Sequence, residues 1–295
     1  MLKQINSFWE NVGELAKRMK IVLAVFLSSL FIMLLLPANT DFFALTNNYR
    51  PLMSVVLTYI ARMYLPSGTE LFAGSMSDPI TLYVYAALVF ATLITMPIFA
   101  YEAIKFINPA LYPTEKKMIF PYATAMTVLF AGGALFGFFF LAPSFIQGFF
   151  PFYYAVGAIP YIQIMDFYNI IFFTVLVSGF LFVIPIFFIL LVKFNIIRTR
   201  MVTGKRKWIY VGMLVAALLI SPGATPIGDF ILFVALAILF EASIFIGKFQ
   251  ESKIPENSTP LLVKWFGGQT TCRFCKANVD SSSTDFCLNC KRSIK

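Results

Sequence analysis

The sequence predicts an all-α, polytopic membrane protein with six transmembrane helices and a small C-terminal metal-binding knuckle. Hydrophobic residues make up 59% of its 295 residues and charged residues only 13%, whereas soluble proteins carry about 25% charged residues. The apolar residues, with 35 phenylalanines among them, lie mainly in blocks long enough to cross a hydrocarbon core about 30 Å thick. This composition excludes an ordinary soluble domain.

Six apolar blocks are the predicted transmembrane spans. Pro37 ends the first of them, and the fifth is short, because a helix of its length rises only about 20 Å. We therefore expect flanking residues to extend the fifth span or the bilayer to thin around it. The predicted spans are residues 21–36, 80–101, 118–141, 167–192, 208–220 and 226–246.

The distribution of positive charge predicts the topology. All but two of the 23 Lys and Arg residues lie on one side of the spans, and the exceptions are Arg50 and Arg62. Because cytoplasmic segments carry the positive excess, both termini are predicted to be cytoplasmic in a protein of the cell (plasma) membrane. No small-x-small cleavage site follows the first span, which predicts a retained anchor. The topology explains the net charge of +9, so no nucleic-acid partner is expected.

Two segments on the other side, 37–79 and 142–166, are predicted to be loops that build a cap. Residues Leu52 to Tyr64 have apolar positions at helical spacing, which predicts an amphipathic helix on the membrane surface. Asp78 precedes a proline at the start of the second span, so we expect its carboxylate to accept hydrogen bonds from first-turn amides.

Several kinds of chemistry are excluded by residue type. The chain has no histidine, which excludes a histidine triad and a histidine-based proton relay. It also lacks the glycine-rich phosphate-binding loop of ATPases and the Gly-x-Ser-x-Gly elbow of hydrolases. The sequence therefore predicts a protein that is not an enzyme.

Carboxylates on the predicted cytoplasmic side are candidates for binding cations. Glu14 precedes the first span, Glu102 opens the next cytoplasmic loop, and Glu115 lies within it. If the first three helices pack together, Glu14 and Glu115 face one another across a groove, where paired carboxylate oxygens suit a guanidinium group. Spacing alone favours a local alternative, in which Glu14 pairs with Lys17 or Arg18 and Glu115 with the lysines that follow it.

The loop at 106–117, combined with motifs elsewhere, resembles the TatC family, the multi-span receptor subunit of the twin-arginine protein translocase. The first motif keeps a glutamate, a leucine and a final arginine, but lacks the histidine and one arginine common in that family. The matching motifs are Asn-Val-Gly-Glu-Leu-Ala-Lys-Arg at 11–18, Asp-Pro-Ile at 78–80, Met-Pro at 96–97, Phe-Ile-Asn-Pro-Ala-Leu at 106–111, Glu-Lys-Lys at 115–117 and Leu-Phe-Glu at 239–241.

The resemblance implies a receptor that binds twin-arginine signal peptides of folded precursor proteins. It implies that Glu14 and Glu115 contact the two arginines, with Phe106, Pro109 and Leu111 shaping the same patch. It further implies export driven by the proton-motive force, membrane lipid as surroundings, and an oligomer with single-span subunits of the TatA and TatB types.

Two regions bear on that implied mechanism. Val183 stands where the family has an intramembrane glutamate, a group that is expensive in a bilayer and normally functional. Thr225 and Asp229 resemble the family's outer hairpin, which implies that they contact the partner subunits. For Asp229 an alternative is open, a first-turn carboxylate stabilised by the helix dipole.

The composition changes after Phe249, which predicts a membrane domain at 1–249, a linker at 250–270 and a tail at 271–295. The tail holds Cys272, Cys275, Cys287 and Cys290, the four cysteines of the chain. Two Cys-x-x-Cys pairs supply four thiolates for a structural, tetrahedral zinc ion. Disulfides are the less favoured alternative in a cytoplasmic tail.

Two other functions fit parts of the sequence. One is a non-transporting membrane scaffold that recruits a cytosolic partner through its zinc tail. The other is a secondary transporter, which would need discontinuous helices or several polar groups near the midplane. Internal repeats are not evident in the sequence, and such polar groups are few, apart from Asp229 toward the end of a span.

Overall fold

The computed structural model describes residues 2–38, 51–66, 68–107, 119–157, 161–194, 196–220, 225–252, 269–271 and 278–280. Helices dominate these residues. The helices are α1 (Leu2–Leu35), α2 (Leu52–Tyr64), α3 (Asp78–Ile107), α4 (Ile119–Phe136), α5 (Ala142–Val156), α6 (Ile164–Lys193), α7 (Thr199–Thr203), α8 (Arg206–Ile220) and α9 (Pro226–Glu251), and the strands are β1 (Glu70–Phe72), β2 (Tyr161–Gln163), β3 (Gln269–Thr271) and β4 (Asn278–Asp280).

Five helical stretches in the described ranges are long and apolar enough to cross a membrane, which confirms a helical, multi-span membrane fold. The predicted fifth span falls in α8, whose 15 residues rise about 22 Å and leave it shorter than the others. The five stretches are Gly13–Leu35, Asp78–Lys105, Phe120–Val156, Ile164–Lys193 and Pro226–Glu251.

The third span continues well past its predicted end, so the prediction of a loop over 142–166 was wrong for most of its length. A π-helical segment, Gly137–Leu141, joins α4 directly to α5, which runs to Val156. Pro143 directly follows the π segment, and the helix continues through it although proline supplies no amide donor. The helix ends at Gly157, whose φ of 72° is in the left-handed region that favours glycine.

The π segment leaves one carbonyl without its usual helical donor. The Ala142 amide donates to Gly137, and the next donor in the π pattern would be Pro143, which has no N–H. The Tyr64 hydroxyl of α2 instead donates to the Phe138 carbonyl at 2.6 Å. Burial raises the pKa of Tyr64 to about 12, so the hydroxyl remains a donor at neutral pH.

Helix α2 confirms the predicted amphipathic helix with the same limits. Met53, Leu57, Ile60 and Tyr64 are its buried residues, and their spacing places them on one face. This face packs against a core formed with α3, α5 and α6. The Tyr168 hydroxyl of α6 donates to the Leu57 carbonyl at 2.6 Å.

The two segments predicted to form a cap meet through a short parallel pair, in which β1 pairs with β2. Asp78 lies beside this pair, but it does not accept from the first turn of α3 as we predicted. Its carboxylate instead accepts from the amides of Gly74 at 2.8 Å and Ser75 at 3.0 Å and from the Gln163 side chain at 3.3 Å. Since α3 begins at Asp78 itself, the carboxylate closes the preceding turn and ties it to β2.

The chain divides into two compact units. The first comprises Met1–Val183 and Leu214–Leu236 and contains all the contacts described above. The second comprises Ile184–Met213 and Ala237–Lys295.

Within the second unit, polar contacts fasten two short helices to the later part of α9. The Glu251 carboxylate accepts from the amide and hydroxyl of Thr199, at the start of α7. In α8, Arg206 lies 3.5 Å from the Glu241 carboxylate, which also accepts from the Tyr210 hydroxyl.

Candidate functional site

Three charged side chains form a cluster where α1 lies beside α3. Arg18 donates through Nη2 to Glu14 Oε1 at 2.5 Å and through Nη1 to Glu102 Oε2 at 3.0 Å. The side chains of Arg18 and Glu102 are only 15% and 11% exposed, whereas that of Glu14 is 40% exposed. We call Glu14, Arg18 and Glu102 the Arg18 cluster.

Helical spacing and close packing create this cluster. Glu14 and Arg18 are four residues apart on α1, so they share a face. Val22 and Ser29 are buried on the same side of α1, and Ser29 Oγ lies 3.5 Å from Thr95 Oγ1 of α3. These contacts hold α1 against α3 and bring the carboxylate of Glu102 to Arg18.

The structure describes only part of the predicted signal-peptide site. Glu14 lies on α1, and its local pairing with Arg18, the alternative that spacing favoured, is present. Phe106 belongs to the last turn of α3, and its side chain is not described. Pro109, Leu111 and Glu115 lie outside the described residues. The pairing of Glu14 with Glu115 therefore stays a prediction.

Sequence reasoning did not assign Glu102 to the site. Glu102 is separated from Arg18 by 84 positions, and no periodicity within one segment reports a contact of that range. The available signal was a carboxylate directly after an apolar span, where an isolated charge needs a partner. Arg18 was considered only as a local partner of Glu14.

An apolar groove of about 220 Å³ begins beside the Arg18 cluster. On α1 it starts at Met19, the residue after Arg18, and on α3 it reaches Phe99, about one helical turn before Glu102. Its further lining residues are Val22, Leu23, Phe26, Thr92, Thr95, Met96 and Phe180. A ligand with a cationic end and an apolar stretch would meet both surfaces in that order.

A second polar site lies at the start of α9, where two side-chain oxygens have no partner in the part of the chain that the structure describes. Thr225 and Asp229 are 3% and 4% exposed. Thr225 Oγ1 and Asp229 Oδ1 have no hydrogen-bond partner among the described residues. The neighbouring helix approaches closely, because a Cβ on Gly228 would lie 2.3 Å from the ring of Phe145 and one on Gly148 2.7 Å from the Thr225 side chain. We call Thr225 and Asp229 the α9 polar pair.

Two further predictions concern Val183 and the cysteines of the tail. Val183 is buried, at 3% exposure, so an apolar side chain fills the place of the family's intramembrane glutamate. The four cysteines lie outside the described residues, and no group of three potential metal ligands occurs among the residues that are described. Strands β3 and β4 pair so that Thr271, next to Cys272, faces Asn278.

Comparisons with known proteins agree on one family. The family profile described as TatC, Sec-independent protein translocase protein, matches residues 10–235. The Sec-independent protein translocase protein TatC of Blattabacterium sp. subsp. Periplaneta americana is 26% identical, over 83% of this chain and 96% of its own length. TatCy of Bacillus subtilis is 25% identical, over 85% of this chain and 92% of its own.

A solved structure gives the same result at the level of the fold. The crystal structure of the twin-arginine translocase receptor TatC superposes with a TM-score of 0.65 and 26% sequence identity, covering 81% of this chain and 99% of that one. These matches do not favour the scaffold or secondary-transporter alternatives. The family profile spans the Arg18 cluster and the α9 polar pair, and on this ground the chain belongs to the TatC family of Sec-independent protein translocase proteins.

Proposed function

We propose that this chain is the receptor and core subunit of a twin-arginine translocase, which binds the signal peptides of folded precursor proteins. The observation that carries the proposal is the Arg18 cluster, where two carboxylates on adjacent helices already hold a guanidinium group. An arginine side chain is the group that this geometry suits, because its fork of N–H donors matches carboxylate oxygens.

The signal-peptide site comprises Glu14 and Glu115, with Phe106, Pro109 and Leu111 shaping the patch between them. The exposed part of Glu14 and the apolar groove beside it support this assignment. Signal peptides place an apolar stretch after their basic residues, which is the order in which the cluster and the groove occur. The solved relative is a twin-arginine translocase receptor, which supports the same role.

The topology that we propose has six spans with both termini in the cytoplasm of a plasma-membrane protein. The positive charge on one side of the spans supports this orientation. In this topology α8 is the fifth crossing, and its 15 residues fit a bilayer that thins locally around it. Transport then depends on the proton-motive force rather than on a nucleotide site of this chain.

Single-span subunits of the TatA and TatB types dock on the α9 polar pair. Support comes from Thr225 Oγ1 and Asp229 Oδ1, which lack a hydrogen-bond partner within the described ranges, because a polar group in lipid is stabilised once a neighbouring helix supplies a partner. The stabilisation of Asp229 by the helix dipole is compatible with this role, since Asp229 lies in the first turn of α9.

The tail binds structural zinc through Cys272, Cys275, Cys287 and Cys290. The pairing of β3 with β4 supports this assignment, because it pairs Thr271 with Asn278, the residues that flank the stretch of sequence containing Cys272 and Cys275. Metal analysis of the purified chain is expected to find equimolar zinc, and Cys272→Ser with Cys287→Ser is expected to lose it. Equal zinc in both preparations would contradict the assignment.

Capture of the chain by an immobilised twin-arginine signal peptide tests the receptor function. Glu14→Gln and Glu115→Gln are each expected to weaken capture about tenfold or more, because each removes a charge-assisted pair. A peptide with both arginines changed to lysine should lose capture in the same way. Raised salt should reduce capture of the wild type, because charge attraction near the surface is screened.

Glu70→Gln is the matched control, since Glu70 is an exposed carboxylate of β1, away from the proposed site. Its capture should equal that of the wild type. Capture that is equal for Glu14→Gln, Glu115→Gln and both peptides would overturn the proposed site.

A further inference from the structure

The carboxylates of the Arg18 cluster are already occupied by a guanidinium of the same chain. Arg18 spans both helices, with 2.5 Å to Glu14 and 3.0 Å to Glu102. Any incoming arginine therefore meets Glu14 in a pair rather than as a free carboxylate. This occupation has to be relieved, at least on Glu14, before a signal-peptide arginine can bind there.

The cluster has one negative charge in excess, because two carboxylates share one guanidinium. The nearby lysines that the structure describes do not pair with this excess negative charge. Lys17 and Lys20 of α1 are exposed to solvent, and the Lys105 ammonium lies 5.4 Å from the centre of the Tyr101 ring, where it makes a cation–π contact. The remaining charge suits one additional cation.

The two carboxylates differ in a way that assigns them different tasks. Glu14 is 40% exposed and Glu102 is 11% exposed. A ligand from solution can reach Glu14, whereas Glu102 is enclosed between α1 and α3. Glu102 is therefore placed to keep Arg18 paired after Glu14 has changed partner.

We propose that Glu102 is a positioning residue of the signal-peptide site, which holds Arg18 while a signal-peptide arginine replaces it on Glu14. The proposal rests on the receptor function proposed above. Binding is then an exchange of one guanidinium for another on Glu14. Without Glu102, the exchange would leave the guanidinium of Arg18 largely buried without a carboxylate, which is strongly unfavourable.

The exchange of guanidinium groups on Glu14 predicts a result that a purely structural role of Glu102 would not produce. Glu102→Gln is expected to raise the Kd for a fluorescent twin-arginine signal peptide about tenfold. Adding Arg18→Gln to that variant removes the group that has to be displaced, so Kd should return to within about threefold of the wild-type value. Arg18→Gln alone should bind at least as tightly as the wild type, because Glu14 then has no competing guanidinium of the same chain.

The test measures the Kd of the fluorescent peptide for each variant of the full chain in nanodiscs. Thermal unfolding of the same variants is measured in parallel. Glu241→Gln is the matched control, because Glu241 is also a carboxylate paired with an arginine, in the second unit. Its Kd should not change. If Glu102→Gln proves unstable, the double variant, in which both charges are absent, still reports on the exchange.

The outcomes separate this proposal from the receptor function. A loss of binding in Glu14→Gln with an unchanged Kd in Glu102→Gln would leave the receptor site standing and overturn the role of Glu102. A double variant that binds as weakly as Glu102→Gln alone would overturn the exchange. Unchanged binding in Glu14→Gln would instead overturn the receptor site on which the proposal rests.

Discussion

The Arg18 cluster and the α9 polar pair solve the problem of polar groups in a membrane protein in opposite ways. In the Arg18 cluster, charges from two helices satisfy one another at 2.5 and 3.0 Å. In the α9 polar pair, Thr225 Oγ1 and Asp229 Oδ1 are buried without a partner among the described residues. A buried polar group that lacks a partner costs about 1–3 kcal/mol. The two sites therefore contribute differently to the stability of the fold.

The difference indicates what each site is suited to bind. A satisfied pair can exchange one of its members for a ligand of the same chemistry without leaving a charge exposed to lipid. An unsatisfied pair instead gains stability when a helix from another subunit supplies donors. The first arrangement fits a reversible peptide ligand, and the second fits a subunit that assembles in the membrane.

The largest expected effect is a loss of stability when the Arg18 cluster is disrupted. Glu102→Leu should lower the free energy of unfolding by about 2 kcal/mol, because removing one member of a buried ion pair leaves the other without compensation. Unfolding in detergent, followed by circular dichroism, measures this change. The double variant Arg18→Leu with Glu102→Leu should recover most of the loss, and equal losses in the single and double variants would show that the pair is not what stabilises this region.

These contacts also mark how much of the molecule was predictable. Windows of apolar residues predicted six spans, five of which fall on the long apolar helical stretches of the described residues, and the apolar spacing of residues 52–64 predicted α2 with its observed limits. Local patterns report on such features because helical periodicity is local. The salt bridge from Arg18 to Glu102 joins residues on two helices far apart in sequence, so it depends on the packing of α1 against α3.

The two local predictions that were wrong, the loop after residue 141 and the cap at Asp78, have physical causes. A loop was predicted from residue 142 onward, but the helix continues through a π segment and Pro143, and the Tyr64 hydroxyl satisfies the carbonyl that is left over. Asp78 predicted a helix cap, but the chain before α3 turns back toward the carboxylate and supplies nearer amides. In both cases a tertiary or turn contact outweighed the standard local rule.

The two sites also differ in how tightly the residues beside them are packed, and the effect of a tight contact should be the next largest. Gly228→Ala should destabilise the chain by about 1.5 kcal/mol, because its Cβ would lie 2.3 Å from the buried ring of Phe145 and overpacking of a core is unfavourable. Thermal unfolding in detergent measures the shift. Gly13→Ala, one position from Glu14, is the control: nothing lies within 4 Å of its Cβ, so it should be neutral or slightly stabilising.

The smallest expected effect has the opposite sign. Asp229→Leu should raise the free energy of unfolding of the isolated chain by about 1 kcal/mol, because it removes an unpaired buried carboxylate oxygen. The same variant should fail to co-purify with single-span partner subunits. Asp229→Asn keeps a polar group and should retain part of the capture. A destabilised Asp229→Leu chain that still captures partners would contradict the contrast between the two sites.

The π segment at Gly137–Leu141 also sets the rotational phase of everything that follows it in the same helix. One residue corresponds to about 100° around a helix axis. The extra residue in that turn therefore decides that Phe145, Ile146 and Phe150 face the protein core rather than lipid. A one-residue deletion at 137–141 would keep the composition of the helix almost unchanged and yet present a different face of α5 to α9. Length variation among relatives should accordingly be restricted at this point more strictly than substitution.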